Sequence, residues 1–178
     1  IDINNSIAGT VNENMEIISD DLPEGLSVLL SLEGTEGNIL TGNLSGIYDV
    51  AQYRISGDLT IADGDTAYLN AGTQFLFDSG VNFNIYGTLK AIGTESDSII
   101  FDNYGDERWR GLTLDNVSDE TELRYVRISG ARKNYGGGIY LQSSNPTLTH
   151  VTISNNLSDT HGGGMYISGS NPILTHVT

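Results

Sequence analysis

The chain contains 178 residues and no cysteine, and its 23 acidic residues outnumber 8 Lys and Arg, giving a formal net charge of −15. Nucleic acid and anionic membranes both require a positive surface, so this charge argues against them as partners. The lack of cysteine excludes disulfides and thiolate metal sites. No apolar run approaches the roughly 18 residues that span a bilayer. We therefore expect no nucleic-acid binding and no membrane insertion.

Residues 1–50 contain runs that predict β-strands, namely the alternating IDINNSIAG and MEIIS and the apolar LSVLLSL. They lack the spacing that governs the rest of the chain, so we predict a separate segment at 1–50 and a solenoid at 51–178. Two interpretations of this segment are open. One is a β cap over the first coil of the solenoid. The other is part of an immunoglobulin-like segment, because LPEGLS and GNILTGNLSGIYDV resemble the C-terminal half of bacterial immunoglobulin-like domains.

The rest of the chain repeats itself with a period near 26 residues. GGGIYLQSSNPTLTHVT at 136–152 returns as GGGMYISGSNPILTHVT at 162–178. Each unit holds two runs in which apolar and polar residues alternate, as in half-buried strands. A fixed period of this length indicates a solenoid or a propeller, and a four-stranded propeller blade needs about 40 residues. The unit therefore favours one coil of parallel β-structure.

Weaker copies of the apolar pattern extend upstream to about residue 53. We predict an all-β chain with about five coils of a right-handed parallel β-helix, each of 24–27 residues. Right-handedness follows from the strong bias of crossover connections between parallel strands. Three inward rows are expected: Leu59, Ile85, Leu112, Ile139 and Met165; Ile99, Val126, Val151 and Val177; and Phe77, Phe101, Ile128 and Ile153.

Glycine and asparagine mark the turns between the strands. Gly136 and Gly162 open glycine triplets and are expected to adopt φ above zero, which glycine tolerates best. Asn155 is expected to close a strand in the left-handed conformation. Asn145 and Asn171 should stack one coil apart.

The pattern GGGIY…NPTLTHVTISNN resembles the right-handed parallel β-helix repeats of large secreted and surface proteins of bacteria and archaea. It is also similar to the GG-aliphatic-Tyr repeats of polymorphic outer-membrane adhesins. The stretch from GDLTIADGD to WRGLTLD resembles the first coils of such proteins, so the resemblance covers about 125 of the 178 residues. It implies an extracellular or cell-surface location. It does not imply one activity, because this coil serves lyases, glycosidases, adhesins and stalks alike.

Three tyrosines are candidates for carbohydrate binding. Tyr86, Tyr140 and Tyr166 are expected to face outward at one position of their coils, with Thr60 and Thr113 in the others. An aromatic side chain offers a flat apolar face and a polar tip, on which a sugar ring can stack. The alternative is a cross-strand stack that only stabilises the sheet.

Two aspartates and a group of basic residues are candidates for catalysis. Asp78 and Asp102 each follow an inward phenylalanine and are expected to lie roughly 5 Å apart on adjacent coils. Such a pair can catalyse retaining glycoside hydrolysis or hold calcium, but aspartate is also common at strand ends. Six of the eight basic residues, including Arg127, lie between positions 108 and 133. They can serve a polysaccharide lyase, or they can be balanced by neighbouring acidic residues.

Two histidines also repeat. His150 and His176 occupy the same position of successive units, with Tyr125 in the equivalent place upstream. No third ligand accompanies them at a fixed position, so we predict a stack of rings and no metal site. No cofactor is expected, although calcium is compatible with the aspartates.

These observations lead us to expect a non-catalytic extracellular module, structural or adhesin-like, that binds polysaccharide or another surface component. Near-identical repeats present the same surface residues several times, whereas an active site needs different residues, each at one particular place. The alternative is a fragment of a polysaccharide lyase or glycosidase acting on acidic polysaccharide, with Asp78, Asp102 and Arg127 as catalytic candidates. Because the repeat is strongest near Thr178, we expect a truncated solenoid that continues in the natural protein and associates end to end.

Overall fold

The computed structural model describes residues 11–19, 22–32 and 38–178. Every regular element in these ranges is a β-strand. The same ranges contain no helix that is long and apolar enough to cross a membrane. The chain divides into two compact units, Ile1–Asn38 and Ile39–Thr178.

The first unit contains an antiparallel hairpin of β1 (Val11–Ser19) and β2 (Leu22–Leu32), with a register irregularity near Ser19. The strands predicted at MEIIS and LSVLLSL lie in these two elements, whereas IDINNSIAG lies outside the described residues. A hairpin is compatible with a cap and with an immunoglobulin-like segment. That choice, and the boundary at residue 50, stay predictions.

The second unit is a right-handed parallel β-solenoid of about five coils, which confirms the predicted fold class. Its strands are mostly short, because each coil bends at corners between flat faces. In chain order they are β3 (Asn38–Asn43), β4 (Gly46–Tyr48), β5 (Gln52–Ile61), β6 (Thr66–Leu69), β7 (Gln74–Phe77), β8 (Phe83–Ile85), β9 (Thr88–Ile92), β10 (Ile99–Asn103), β11 (Leu112–Asp115), β12 (Glu122–Ile128), β13 (Arg132–Tyr135), β14 (Ile139–Gln142), β15 (Thr147–Ile153), β16 (Leu157–His161), β17 (Met165–Ser168) and β18 (Ile173–Thr175).

Parallel pairing between coils builds three faces. The first face stacks β5, β8, β11, β14 and β17. The second stacks β4, β6, β9, β12, β15 and β18, and the third stacks β5, β7, β10, β12 and β15. β5, β12 and β15 bend around a corner and so belong to two faces. β13 and β16 pair in a separate two-stranded parallel sheet.

Buried apolar side chains fill the bore of the solenoid in continuous rows. The prediction that Ile85 lies in the row of Leu59 and Leu112 is wrong by two residues, because Phe83 takes that place. The two rows on the first face are Leu59, Phe83, Leu112, Ile139 and Met165, and Ile61, Ile85, Leu114, Leu141 and Ile167.

The third face shows the same two-residue shift. Phe101 pairs with Phe75, while Phe77 lies opposite Asn103. Phe77 is nevertheless fully buried, because a shift of two residues preserves the alternation of side chains along a strand. The predicted row that begins with Ile99 is confirmed: Ile99 pairs with Val126 and Val126 with Val151.

A single residue in the left-handed conformation forms the corner between the second and third faces in three successive coils. Tyr125, His150 and His176 have φ of 49°, 54° and 52°. Their rings stack in a ladder with 4.6 Å between successive centroids, which confirms the predicted stack. The left-handed Asn155 (φ 54°) is also confirmed. So is the predicted contact between the asparagines of adjacent coils, in which the backbone N–H of Asn171 donates to Asn145 Oδ1 at 2.7 Å.

Candidate carbohydrate-binding site

Two glycine triplets fold β13 and β16 back towards the first face. Gly136 and Gly162 have φ of 61° and 69°, which confirms the predicted positive values. A Cβ atom on Gly136 would lie 2.2 Å from the carbonyl oxygen of Ile139, and one on Gly162 would lie 2.3 Å from that of Met165. Such close approach is possible only without a side chain. The turn therefore brings the residue before each triplet close to the strand after it.

The side chains gathered by these turns form a cluster that we call the tyrosine cluster, consisting of Tyr135, Tyr140, His161 and Tyr166. Tyr140 and Tyr166 project from paired positions of β14 and β17, with 5.7 Å between ring centroids. Tyr135 lies 5.2 Å from the Tyr166 ring and 5.8 Å from the His161 ring. His161 is 6.5 Å from Tyr166, with the ring planes 21° apart. These separations are typical of aromatic side chains in mutual contact.

The cluster is held in place but open to solvent. Tyr135 is 43% exposed and His161 is also exposed, while Tyr140 and Tyr166 are half-buried. The Tyr140 hydroxyl donates to Gln142 Oε1 at 2.7 Å, which fixes the end of that ring. Exposed rings with few rotatable bonds and polar tips suit a ligand that has both apolar faces and hydroxyl groups.

Lys133 places a positive charge beside the rings. Its Nζ donates to Thr113 Oγ1 and lies 5.9 Å from the centroid of the Tyr140 ring. Burial lowers the pKa of Lys133, and the nearby charge of Arg110 lowers it further. Within the described residues neither Lys133 nor Arg110 forms an ion pair.

Tyr86 does not belong to the tyrosine cluster. The outward row on the first face runs through Thr60, Asn84 and Thr113 to Tyr140, so Asn84 takes the place predicted for Tyr86. The error is the same two-residue shift that displaced Ile85. Tyr86 is 41% exposed and lines a separate depression, together with Thr60, Ala62, Asp63, Asp115 and Asn116.

Asp78 and Asp102 are not paired opposite each other as predicted, because Asp102 lies opposite Leu76. The Asp78 carboxylate accepts two hydrogen bonds from Arg54, at 3.0 and 3.1 Å, and Arg54 also lies 4.3 Å over the Tyr104 ring. Asp102 Oδ1 accepts a hydrogen bond from the backbone N–H of Asn103 at 2.9 Å. The two carboxylates therefore have different surroundings, and their catalytic and calcium-binding roles stay predictions.

The basic residues between positions 108 and 133 are only partly balanced by acidic neighbours. Within that segment the ion pair is Arg124 with Glu122, at 3.9 Å. Arg132 instead reaches Asp159 in the next coil, at 2.7 Å. Arg127 is exposed on the third face opposite Ile100 and forms no ion pair within the described residues. The structure thus places Arg127 on a different face from Tyr140 and Tyr166.

The sequence interpretation did not find Tyr135 or His161, and it counted Lys133 among the clustered basic residues without placing it beside the tyrosines. A signal was present, because NYGGGIY at 134–140 and THGGGMY at 160–166 both place an aromatic ring directly before the triplet and a tyrosine five residues after that ring. The first of these rings lies outside the strand alternation on which the prediction relied. Only the chain reversal at the glycine triplets brings the ring before the triplet close to the tyrosines that follow the triplets.

Comparisons with known proteins give no match, so the interpretation of the candidate site rests on its geometry. The sequence matches no protein-family model, no curated protein and no solved structure. The likeness to surface β-helix repeats is therefore supported at the level of the fold, a parallel β-solenoid of about five turns.

Proposed function

We propose that this chain is a non-catalytic extracellular β-helix module that binds a carbohydrate through the tyrosine cluster. The observation that carries the proposal is the pair Tyr140 and Tyr166 on successive coils, with Tyr135 and His161 folded against them from a second sheet. The resemblance to secreted and surface repeats supports the location.

The tyrosine cluster is preorganised to contact a sugar ring. A sugar ring presents apolar C–H faces and a rim of hydroxyl groups, and aromatic side chains offer the complementary combination of face and polar tip. The rings are fixed by contacts with one another, so little side-chain entropy is lost when a ligand binds. The parallel stacking of coils also places a tyrosine ring on each of two successive coils, along the direction in which the coils stack. Such a row of rings suits an extended polymer better than a compact metabolite.

Affinity electrophoresis in gels that contain neutral or acidic polysaccharides, with and without calcium, tests this proposal. We expect one class of polysaccharide to retard the protein. Tyr140→Ala and Tyr166→Ala should each weaken binding about tenfold or more, as for aromatic residues at the centre of a binding surface. Tyr86→Ala is the control, since Tyr86 is a solvent-exposed tyrosine on the same solenoid that lies outside the cluster. Unchanged retardation of Tyr166→Ala, or an equal loss in Tyr86→Ala, would contradict the proposal.

The same incubations distinguish binding from catalysis. New reducing ends or unsaturated products would indicate a glycosidase or a lyase. If Asp78→Ala, Asp102→Ala or Arg127→Ala abolished that cleavage, the enzymatic alternative would replace the proposal. A dependence of cleavage or binding on added calcium would assign the ion a role.

A further inference from the structure

The surroundings of Lys133 are unusual for a cation in so acidic a chain. Its side chain leaves β13 and reaches Thr113 on β11, and Nζ also lies against the Tyr140 ring. An ammonium group carries three donors, and the Thr113 hydroxyl satisfies one of them. Lys133 is half-buried, so its ammonium group has restricted access to water.

Arg110 adds a second positive charge at this place. Trp109 forms a parallel bridge with Ala131 on the adjacent coil. This bridge brings Arg110, which follows Trp109, near Lys133, which lies two positions after Ala131. Arg110 lies close enough to lower the pKa of Lys133. The chain carries 23 acidic side chains, yet within the described residues none forms an ion pair with either cation.

Two like charges without a counter-ion, one of them partly removed from water, cost free energy in the folded protein. An anion placed between them would offset both the burial of Lys133 and the repulsion from Arg110. A lysine that served stability alone would be expected to pair with a carboxylate of the chain. The uncompensated arrangement instead favours a bound anionic group.

We infer that the carbohydrate bound at the tyrosine cluster is anionic, with its ring on the tyrosines and its carboxylate or sulfate group held by Lys133 and Arg110. The inference rests on the proposed function and gives it a substrate class. A net charge of −15 repels such a polymer from the rest of the surface, so these cations also fix where it binds. Uronic acids and sulfated sugars share this chemistry, and the experiment separates them.

The chain contains two lysines, Lys90 and Lys133, and this makes the test sharp. Incorporation of lysine labelled with ¹³C at Cε leaves all three donors of each ammonium group in place, so each lysine gives a separate NMR signal that substitution of the other assigns. Three probes with one neutral backbone are titrated: the unmodified oligosaccharide, its carboxylated form and its sulfated form. We expect one anionic probe to shift the Lys133 signal and to raise the pKa of Lys133, because an anion favours the charged form. The Lys90 signal should not move.

Variants of Lys133 separate the contribution of its charge to binding from that of its packing. Lys133→Met should weaken binding of the anionic probe at least tenfold, Lys133→Arg should retain most of the affinity, and Lys90→Met should bind as the wild type does. Circular dichroism and thermal unfolding establish that each variant folds.

The outcomes distinguish this inference from the function on which it rests. If the neutral probe binds as tightly as the charged ones and Lys133→Met leaves that binding unchanged, the inference is wrong while carbohydrate binding stands. If no probe binds, both are wrong. If anionic probes shift the two lysine signals alike, the attraction is diffuse and the site at Lys133 is contradicted.

Discussion

Lys133 packs its ammonium group between Thr113 and the Tyr140 ring, where burial and then Arg110 lower its pKa. In the unfolded chain its pKa returns to the ordinary value of about 10.4. The folded state therefore holds this proton less firmly, and the charge at Lys133 opposes folding at neutral pH. That cost disappears as the pH rises through the lowered pKa towards the ordinary value.

The first prediction is the pH dependence of Lys133→Met. The free energy of unfolding of the variant, relative to that of the wild type, should be highest at pH 7. This difference should decrease as the pH approaches about 10.4, because Lys133 of the wild type then loses its charge. Thermal unfolding of both proteins between pH 7 and pH 10 measures the difference, with Lys90→Met as the control for a generic lysine effect. A difference that stays constant over this range, or that grows with pH, would contradict the assignment of a buried, uncompensated cation.

Single residues were predicted best where strand alternation or turn chemistry determines them. Tyr140 and Tyr166 face outward side by side as expected, and Gly136 and Gly162 have the expected positive φ. Lys133 was counted among the clustered basic residues, but its place beside Tyr140 could not be predicted, because its side chain crosses from one sheet to another. No periodicity along the chain records such a contact.

The glycine triplets are the elements that build the site. Gly136 has positive φ and no room for a Cβ atom, whereas Gly105 has positive φ (80°) with nothing within 4 Å of that position. We expect Gly105→Ala to cost about 1–2 kcal/mol, the strain of a left-handed alanine. Gly136→Ala should cost clearly more, because the methyl group also collides with the Ile139 carbonyl oxygen. It should also separate Tyr135 from Tyr166.

Chemical denaturation measures the two costs, and near-ultraviolet circular dichroism reports the packing of the tyrosines. Equal destabilisation of the two variants, with the tyrosine signal of Gly136→Ala unchanged, would show that the tight reversal does not hold the site together.

The register of the strands shows what a sequence pattern can determine. The inward and outward faces were predicted well, but Ile85 and Phe77 were each assigned to the wrong row by two residues. The coil from Phe83 to Leu112 holds 29 residues, more than the expected 24–27, because loops absorb length without changing the strands. A shift of one residue would expose the core, whereas a shift of two leaves every apolar side chain inside. The alternation of apolar and polar residues therefore cannot reveal a register shift of two residues.

At the scale of the whole molecule, the repeat fixes the fold and leaves the function open. Each coil buries its apolar row only against its neighbours, so a fixed period and a continuous row are enough to predict a solenoid. The proposed binding depends on the few places where a coil departs from the repeat, such as Lys133 and the rings beside it. The error at Tyr86 has the same origin, because its predicted partners were chosen by period and not by register.

In this account the acidic surface of the chain and the cationic pair of Lys133 and Arg110 beside the tyrosine cluster act together. Repulsion over most of the surface and attraction beside the tyrosine cluster would direct an anionic polymer to one line of rings. The proposed recognition of an anionic carbohydrate therefore depends on the contrast between the two cations, Lys133 and Arg110, and the remaining surface, and not on the net charge alone.

The most direct measurement is the NMR spectrum of protein labelled with ¹³C in the tyrosine rings, titrated with an oligosaccharide of the best-retained polysaccharide. The account predicts that Tyr135, Tyr140 and Tyr166 shift together and saturate at one ligand concentration. Signals from exposed tyrosines elsewhere should stay in place: Tyr68, Tyr86 and Tyr104. A shift confined to Tyr86, or small shifts spread evenly over all nine tyrosines, would contradict binding at the tyrosine cluster.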